Sequence, residues 1–238
     1  MTSASPSHAE SRFQIGETDF LLDGQPHRII SGALHYFRVH PDLWRDRIHK
    51  ARLMGLNAIE TCGAWNFHEP IRGEWDASGT RDLGRFLDLI AEEGMHAIVR
   101  PGPYMCGEWH NGGLPTWLTS DPDMALRSSD PRYLEAATGY LAHVNQIVVP
   151  RQIDNGGSVI LVQIENEYGA YGSDKAYLAE LIRQTRAAGI TVPLTQVDQP
   201  IPHMMQNGAH EGLHKTGSFG SRVGERLAIL REHQPTGP

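Results

Sequence analysis

The chain has 238 residues, of which 39% are hydrophobic and 21% are charged. This composition supplies enough apolar side chains for a core, so a globally disordered protein is excluded. Lys and Arg total 21 and Asp and Glu total 28, and a formal charge of −7 without a basic cluster argues against nucleic acid and anionic membranes as partners.

The first segment, residues 1–12, is rich in Ser, Ala and Pro, and we predict a flexible leader there. It lacks the basic region and apolar core of a secretory signal, and no later apolar run approaches the ~18 residues of a membrane span. The two cysteines, Cys62 and Cys106, are too few for a disulfide framework. We therefore expect a cytoplasmic protein without a membrane partner.

Residues 13–238 are predicted to form one catalytic α/β domain that begins with a short β-hairpin. Asp23 and Gly24 lie between two apolar runs, as in a tight hairpin turn. The next run, from Arg28 to Phe37, is typical of a buried strand, and a helix follows between Pro41 and Gly55.

This strand-then-helix unit repeats along the chain. The predicted strands are LNAIETCGAW, MHAIVRPGPYM, SVILVQIENEYG, ITVPLTQVD and HKTGSFG. The predicted helices are RDLGRFLDLIAEEG, PRYLEAATGYLAHVNQIV, DKAYLAELIRQTRAAG and VGERLAILREH. Alternating strands and helices imply a parallel sheet covered by helices. Neither a GxGxxG after the first strand nor a GxxxxGK[ST] segment is present, so a nucleotide-binding fold has no local support.

Polar and aromatic residues follow several of these strands, which favours a (β/α)8 TIM-barrel type over a doubly wound sheet. In such a barrel the reacting groups come from the carboxyl ends of several strands, whereas a doubly wound sheet concentrates them at one switch point. About six strand-helix units can be counted, and a closed barrel needs eight. The predicted fold is therefore an incomplete TIM barrel preceded by a hairpin.

The segment QIENEYG, residues 163–169, holds the carboxylates with the greatest chemical interest. Strand alternation places Gln163, Glu165 and Glu167 on one face, opposite an apolar face. A carboxyl group in a partly dry pocket can act as a general acid near neutral pH, and Glu167 is nearest the strand end. Glu165 is expected to form an ion pair with a basic residue such as Arg38 or Arg100. A purely structural ion-pair network explains the spacing equally well.

Four stretches of the sequence resemble glycoside hydrolase family 35, the β-galactosidases with a TIM-barrel catalytic domain. They are SGALHYFR (31–38), GLNAIETCGAWNFHEP (55–70), RPGPYMCGEWHNGGLPTWL (100–118) and QIENEYGAYG (163–172), with weaker support from VPLTQVDQP (192–200). The resemblance runs from about residue 13 to the end of the chain. It implies retaining hydrolysis of terminal β-galactosyl residues without a cofactor or a metal.

The resemblance also implies residue roles, position by position. The acid/base of the family corresponds to Glu167, and Asn166 would hydrogen-bond a sugar hydroxyl beside the anomeric carbon. The loop after the third strand, Cys106, Gly107 and Glu108, would hold further galactose hydroxyls. Three tryptophans are candidates for the pocket wall or for ordinary core packing: Trp65, Trp109 and Trp117.

Three departures from the family pattern stand out. Cys62 replaces a Tyr that would contact the sugar, which leaves the choice between galactose and glucosamine open, and Gly107 stands where Ala is commoner. The third concerns the nucleophile, since retaining hydrolysis needs two carboxylates. The family carries it in a Glu-Phe-Trp segment, which we expect beyond Pro238. Glu211 and Glu225 are poor substitutes, because neither follows a convincing buried strand.

Two other functions remain open at this stage. An incomplete barrel without a nucleophile is predicted to act as a carbohydrate-binding or interaction module, and its exposed strand edges favour self-association. His210-Glu211-Gly212-Leu213-His214 fits the H-E-x-x-H zinc pattern, which works only on a helix. Gly208, Gly212 and Gly217 argue against a helix there, so a polar loop is the expected structure.

Overall fold

The structure is a computed structural model that describes residues 11–238. The predicted leader falls largely on residues 1–10, which lie outside the described part. At its start the described chain is attached to the domain: the Ser11 hydroxyl and the Arg12 amide both donate to Asp154, at 3.0 and 2.8 Å.

A small antiparallel sheet of three strands opens the fold, in agreement with the predicted hairpin. Its strands are β1 (Phe13–Ile15), β2 (Phe20–Leu22) and β3 (Gln25–His27). The tight turn between β2 and β3 is made by Asp23 and Gly24, with φ of 49° and 75°. Both residues adopt left-handed φ, as a two-residue turn with right-handed strand twist requires.

The main sheet contains six parallel strands that follow one another in chain order. They are β4 (Ser31–Ala33), β5 (Ala58–Cys62), β6 (His96–Gly102), β7 (Val159–Ile164), β8 (Leu194–Asp198) and β9 (His214–Gly217). Every residue of β7 is buried, because helices cover one face of the sheet and side chains fill the other. This curled sheet of TIM-barrel type confirms the predicted fold class and the count of six strands.

Helices connect the parallel strands. They are α1 (Pro41–Leu53), α2 (Trp65–His68), α3 (Leu83–Glu92), α4 (Thr116–Thr119), α5 (Pro131–Val148), α6 (Lys175–Ala187), α7 (Pro202–Gly208) and α8 (Val223–His233). Helices α3, α5 and α6 begin at side-chain caps from Asp82, Asp130 and Asp174, which bind otherwise unpaired amide groups of the first turn. In the described part of the chain, no helix is long and apolar enough to cross a membrane.

The first parallel strand is shorter than predicted. The sequence favours a buried strand from Arg28 to Phe37, but the structure has strand geometry only over β4. The Asn57 side chain binds the Ile30 amide and the Arg28 carbonyl, at 2.8 and 2.7 Å. After β4, residues Tyr36–Arg38 form a 3-10 turn. The Trp44 indole donates to the Tyr36 carbonyl in this turn and to the Val39 carbonyl directly after it. Side chains thus form hydrogen bonds with backbone groups that would pair with a neighbouring strand if β4 were longer.

The two outer strands of the sheet differ from the central ones in their pairing. Among residues 11–238, β4 pairs only with β5 and β9 only with β8. Helix α8, which follows β9, has no buried residue, and its Val223 and Leu227 are exposed. Strand edges without a neighbouring strand and exposed apolar groups favour association, so self-association stays a prediction.

Candidate active site

The six residues proposed from the sequence all lie at the carboxyl ends of three neighbouring strands. Cys62 is the last residue of β5, the loop Cys106–Glu108 follows β6, and Asn166 and Glu167 follow β7. Arg100 of β6 links this group, because its guanidinium donates to Glu60 Oε1 at 2.7 Å and also binds Asn166 Oδ1. The parallel sheet therefore brings the candidate residues to one edge.

Glu167 leaves the strand with a left-handed backbone and faces a cavity. Its φ is 45°, and its amide donates to the Val197 carbonyl at 2.9 Å. The carboxylate accepts a hydrogen bond from Gln199 Nε2 at 3.2 Å. The cavity measures about 290 Å³, close to the lower end of the range for small-molecule sites, and is lined by Gln199, Ser218, Phe219 and Arg226 among others.

The alternation argument for Glu165 and Glu167 is wrong. Strand β7 ends at Ile164, and both glutamates have positive φ, 59° and 45°, so strand alternation no longer applies to them. Glu165 is 2% exposed and contacts the helical layer, where the Tyr177 hydroxyl of α6 donates to it at 2.5 Å. Two glutamates that the sequence places on one face thus lie in different surroundings.

The partner of Glu165 is also different from the predicted one. Glu165 pairs with Arg127, whose Nη2 lies 2.7 Å from Oε2, rather than with Arg38 or Arg100. The Arg127 guanidinium lies 4.1 Å from the Tyr104 ring centroid and 4.4 Å from that of Tyr171. It also donates to the Asn166 carbonyl at 2.7 Å, so this buried group fixes the backbone on which Glu167 stands.

Sequence reasoning missed Arg127, and the local sequence offered no signal for it. The residue lies in the polar segment MALRSSDP between α4 and α5, where an arginine is normally a surface residue. Its 5% exposure comes from tertiary contacts with segments far away in the chain. A pattern of neighbours cannot reveal such a partner.

Asn166 is held at three of its polar atoms. Its backbone amide donates to Glu165 Oε2 at 3.0 Å, and its backbone carbonyl accepts from Arg127. Its side-chain Oδ1 accepts from Arg100. Since Oδ1 is occupied by a donor, the side-chain amide is oriented with Nδ2 as its remaining donor. An amide fixed in this way can recognise a hydroxyl oxygen on a ligand.

Cys62 is a buried neutral thiol beside charged groups. Burial raises the pKa of Cys62 to about 11, and the nearby Arg100 acts in the opposite direction. The thiol therefore carries no charge at neutral pH, which makes it a small apolar contact rather than a nucleophile. Cys106 is partly exposed, and both cysteines are free.

The three tryptophans do not form one wall. Trp65 is fully buried, stacks on Tyr140 at 4.8 Å and packs edge-on against Trp117. Trp65 is thus a core residue, whereas Trp109 is half-buried and lines a separate cavity of about 250 Å³ together with Phe67. Trp109, adjacent to Glu108 in the chain, is the tryptophan beside the loop Cys106–Glu108.

The H-E-x-x-H segment is not helical. His210 lies in a turn after α7, and His214 is the first residue of β9. The Gly212 amide donates to His210 Nδ1 at 3.1 Å, which ties that ring to its own turn. Between residues 11 and 238, no group of three or more His, Cys, Asp or Glu side chains is arranged to hold a metal ion.

Asp198, at the end of β8, is a buried carboxyl group beside Glu167. Burial raises its pKa from 3.8 to about 6, and the charge of Glu167 acts in the same direction. Hydrogen bonds from the Gly169 amide, at 2.7 Å, and the Gln196 side chain, at 3.0 Å, lower this pKa in part. Sequence reasoning did not single out Asp198, because its importance depends on burial.

This raised pKa predicts how an Asp198→Asn variant behaves. Below pH 3.8 the carboxyl group is protonated in both the folded and the unfolded chain, so ionisation contributes no cost. As the pH rises to about 6, the folded state binds more protons, and the wild type loses stability on the order of 3 kcal/mol. The variant has no carboxyl group at this position, so its stability does not fall in this way as the pH rises.

Urea unfolding at several pH values between 4 and 7 measures the effect. We expect the stability of Asp198→Asn relative to the wild type to grow by roughly 1–3 kcal/mol over this range. Asp19→Asn, which changes an exposed carboxyl group, serves as the control. A difference between Asp198→Asn and the wild type that does not vary with pH would contradict the interpretation.

Comparisons with known proteins now identify relatives of the chain. Residues 19–238 match the sequence model of the family described as Glycosyl hydrolases family 35. The chain is 43% identical to the mouse "Beta-galactosidase-1-like protein" over 98% of its length, covering 37% of that protein. It is 44% identical to the "Beta-galactosidase" of Felis catus, with 95% of this chain and 34% of that protein covered. The chain thus spans about a third of the length of these curated relatives.

Solved structures of similar shape include GH5_18 proteins. One from Streptomyces cattleya, in complex with GlcNAc, superposes with a TM-score of 0.58 at 12% identity, covering 79% of this chain and 48% of that chain. Another, from Bifidobacterium longum subsp. infantis, has a TM-score of 0.56 at 12% identity, with 72% and 44% covered. At this identity the similarity concerns the fold alone.

Proposed function

The chain belongs to glycosyl hydrolases family 35, and from that membership we propose that it supplies the galactose-binding and acid/base half of a retaining β-galactosidase site. The proposed substrates are β-galactosides with a terminal β-D-galactosyl residue. The observation that carries the proposal is the position of Glu167, which follows Asn166 after the end of β7 and lines a cavity.

In this proposal Glu167 acts first as an acid and then as a base. Its proton passes to the glycosidic oxygen as the bond from that oxygen to the anomeric carbon breaks, and the carboxylate later takes a proton from the attacking water. Gln199 donates to one carboxylate oxygen, and the other accepts no hydrogen bond from residues 11–238. The chemistry requires no cofactor.

Asn166 and Glu108 are the proposed sugar contacts with the clearest chemistry. The fixed Asn166 amide presents Nδ2 as a donor to a hydroxyl oxygen. The Glu108 side chain is exposed and forms no hydrogen bond or ion pair within residues 11–238, so it is available to accept from paired hydroxyls. Cys62, Cys106 and Gly107 complete the proposed binding set.

The nucleophile is not assigned to this chain. No Glu-Phe-Trp segment occurs in the 238 residues. Asp198 lies near Glu167, but it is 1% exposed and its oxygens are bonded to Gly169 and Gln196. Glu225 is paired with Arg222, and Glu211 is an exposed residue in a turn. A second candidate function for these 238 residues is that of a carbohydrate-binding module, which binds galactose without turning it over.

Calorimetric titration with galactose tests the binding half of the proposal. We expect the wild type to bind galactose, and Glu108→Gln to bind it about tenfold or more weakly, because a charge-assisted hydrogen bond is lost. Glu211→Gln, an exposed glutamate away from the loop, is the matched control. Parallel titrations with glucose and glucosamine identify the preferred sugar. Absence of galactose binding by the wild type would refute the proposal.

A further inference from the structure

A surface arginine holds the loop that follows β6. Arg38 Nη2 donates to the Gly107 carbonyl and, at 2.9 Å, to the Glu108 carbonyl. The Arg38 guanidinium carbon lies 5.6 Å from the Phe37 ring centroid and 5.9 Å from that of Trp109. In the described part of the chain Arg38 forms no ion pair, so these carbonyls are its polar partners there.

The loop that Arg38 holds has an unusual backbone. Cys106, Gly107 and Glu108 have φ of 59°, 62° and 45°, three consecutive residues in the left-handed region. Two of them carry side chains, for which this region is unfavourable, so the conformation persists only where surrounding contacts impose it. No described side chain other than Arg38 binds a carbonyl of these three residues.

We propose that Arg38 is a positioning residue for sugar binding, holding the loop Cys106–Glu108 in the conformation that presents Glu108 to the ligand. This inference rests on the proposed function, which assigns sugar hydroxyls to that loop. The direction of the Glu108 side chain depends on the φ of its own residue and of the two before it. Without the guanidinium these residues relax toward more favourable φ, and the ligand must then restore the loop each time it binds.

The contacts with two aromatic rings favour an arginine over a lysine at position 38. Nη2 of the guanidinium binds two neighbouring carbonyls, while its central carbon lies 5.6 and 5.9 Å from the Phe37 and Trp109 ring centroids. A lysine keeps the charge but offers a rotating ammonium without a flat face. A partial effect in Arg38→Lys and a full effect in Arg38→Ala are therefore expected.

Three measurements on the full 238-residue chain test this inference. The first is galactose affinity for the wild type, Arg38→Ala, Arg38→Lys and the control Arg47→Ala, an exposed arginine of α1 that pairs with Asp46. The second is hydrogen exchange of the amides of residues 107–109. The third is rescue of Arg38→Ala by guanidinium ions below the denaturing range, with sodium chloride at the same ionic strength as its control.

We expect galactose to bind Arg38→Ala about tenfold or more weakly, with faster exchange at residues 107–109 and partial rescue by guanidinium. Unchanged exchange in Arg38→Ala overturns the inference even if binding is lost, since Arg38 would then contact the sugar directly. Unchanged binding also overturns it. If the wild type binds no galactose, the proposed function fails, and the exchange data still decide whether Arg38 holds the loop.

Discussion

Glu167→Gln is expected to lower the rate of glycosidic bond cleavage by about 10²–10⁴-fold when the leaving group needs a proton. The amide has nearly the same shape as the carboxyl group and keeps the hydrogen bond to Gln199 within reach, but it cannot transfer a proton. Loss of rate without loss of galactose binding would separate the chemical role of Glu167 from a role in binding.

The assay supplies a nucleophile from solution. Azide attacks the anomeric carbon of phenyl β-galactoside from the face opposite the leaving group, the bond to the phenolic oxygen breaks, and Glu167 gives its proton to that oxygen. The expected product is an α-galactosyl azide, formed by the wild type and by the control Glu211→Gln. Equal rates for the wild type and Glu167→Gln would show that the acid lies elsewhere.

A second substrate sharpens this test. Dinitrophenolate is a weak base that leaves without protonation, so the dinitrophenyl galactoside should be cleaved at similar rates by the wild type and by Glu167→Gln. A large loss with both substrates would point to damaged binding or folding. Cleavage by the wild type without azide would indicate that a carboxylate of this chain serves as nucleophile.

Arg127→Met is expected to cost about 3–5 kcal/mol of the free energy of unfolding at neutral pH. The substitution leaves Glu165 charged, 2% exposed and without its cation. It also removes the donor to the Asn166 carbonyl. Urea unfolding, followed by tryptophan fluorescence, measures the loss.

Two companion variants separate the buried charge from the volume of the side chain. Adding Glu165→Gln to Arg127→Met removes the unpaired charge and should recover a large part of the stability. Arg132→Met, in which a half-exposed arginine loses its bonds to Asp121 and Asp130, should cost less than about 1 kcal/mol. A loss of that small size for Arg127→Met would mean that water reaches Glu165.

Local signals in the sequence were sufficient for the elements that local physics decides. Helix α5 starts at the predicted Pro131, because Pro suits the first turn and Asp130 caps it. The turn at Asp23 and Gly24 follows from the φ that those residue types tolerate. The short apolar run of β7 is typical of a strand that is covered on both faces.

Features that depend on tertiary partners could not be predicted in the same way. The end of β4 is set by side chains of Asn57 and Trp44, which bind backbone groups from other segments. The left-handed φ of Glu165 and Glu167 ended the alternation on which their shared face depended. The resemblance to the family nevertheless singled out Glu167, because a sequence motif can indicate the role of a residue even when the local backbone conformation is not known.

The three-stranded sheet β1–β3 lies at the amino ends of the parallel strands, opposite the proposed site. His27 contacts His96, the first residue of β6, with ring centroids 5.3 Å apart, and Phe20 contacts His214, the first residue of β9, at 6.2 Å. An affinity handle or a solid support joined on the amino-terminal side of Ser11 would thus be attached at the amino ends of the parallel strands. Immobilisation at that point should leave the carboxyl ends of the parallel strands open to the bulk solution, whereas coupling through Arg38 would disturb its contacts with the loop Cys106–Glu108.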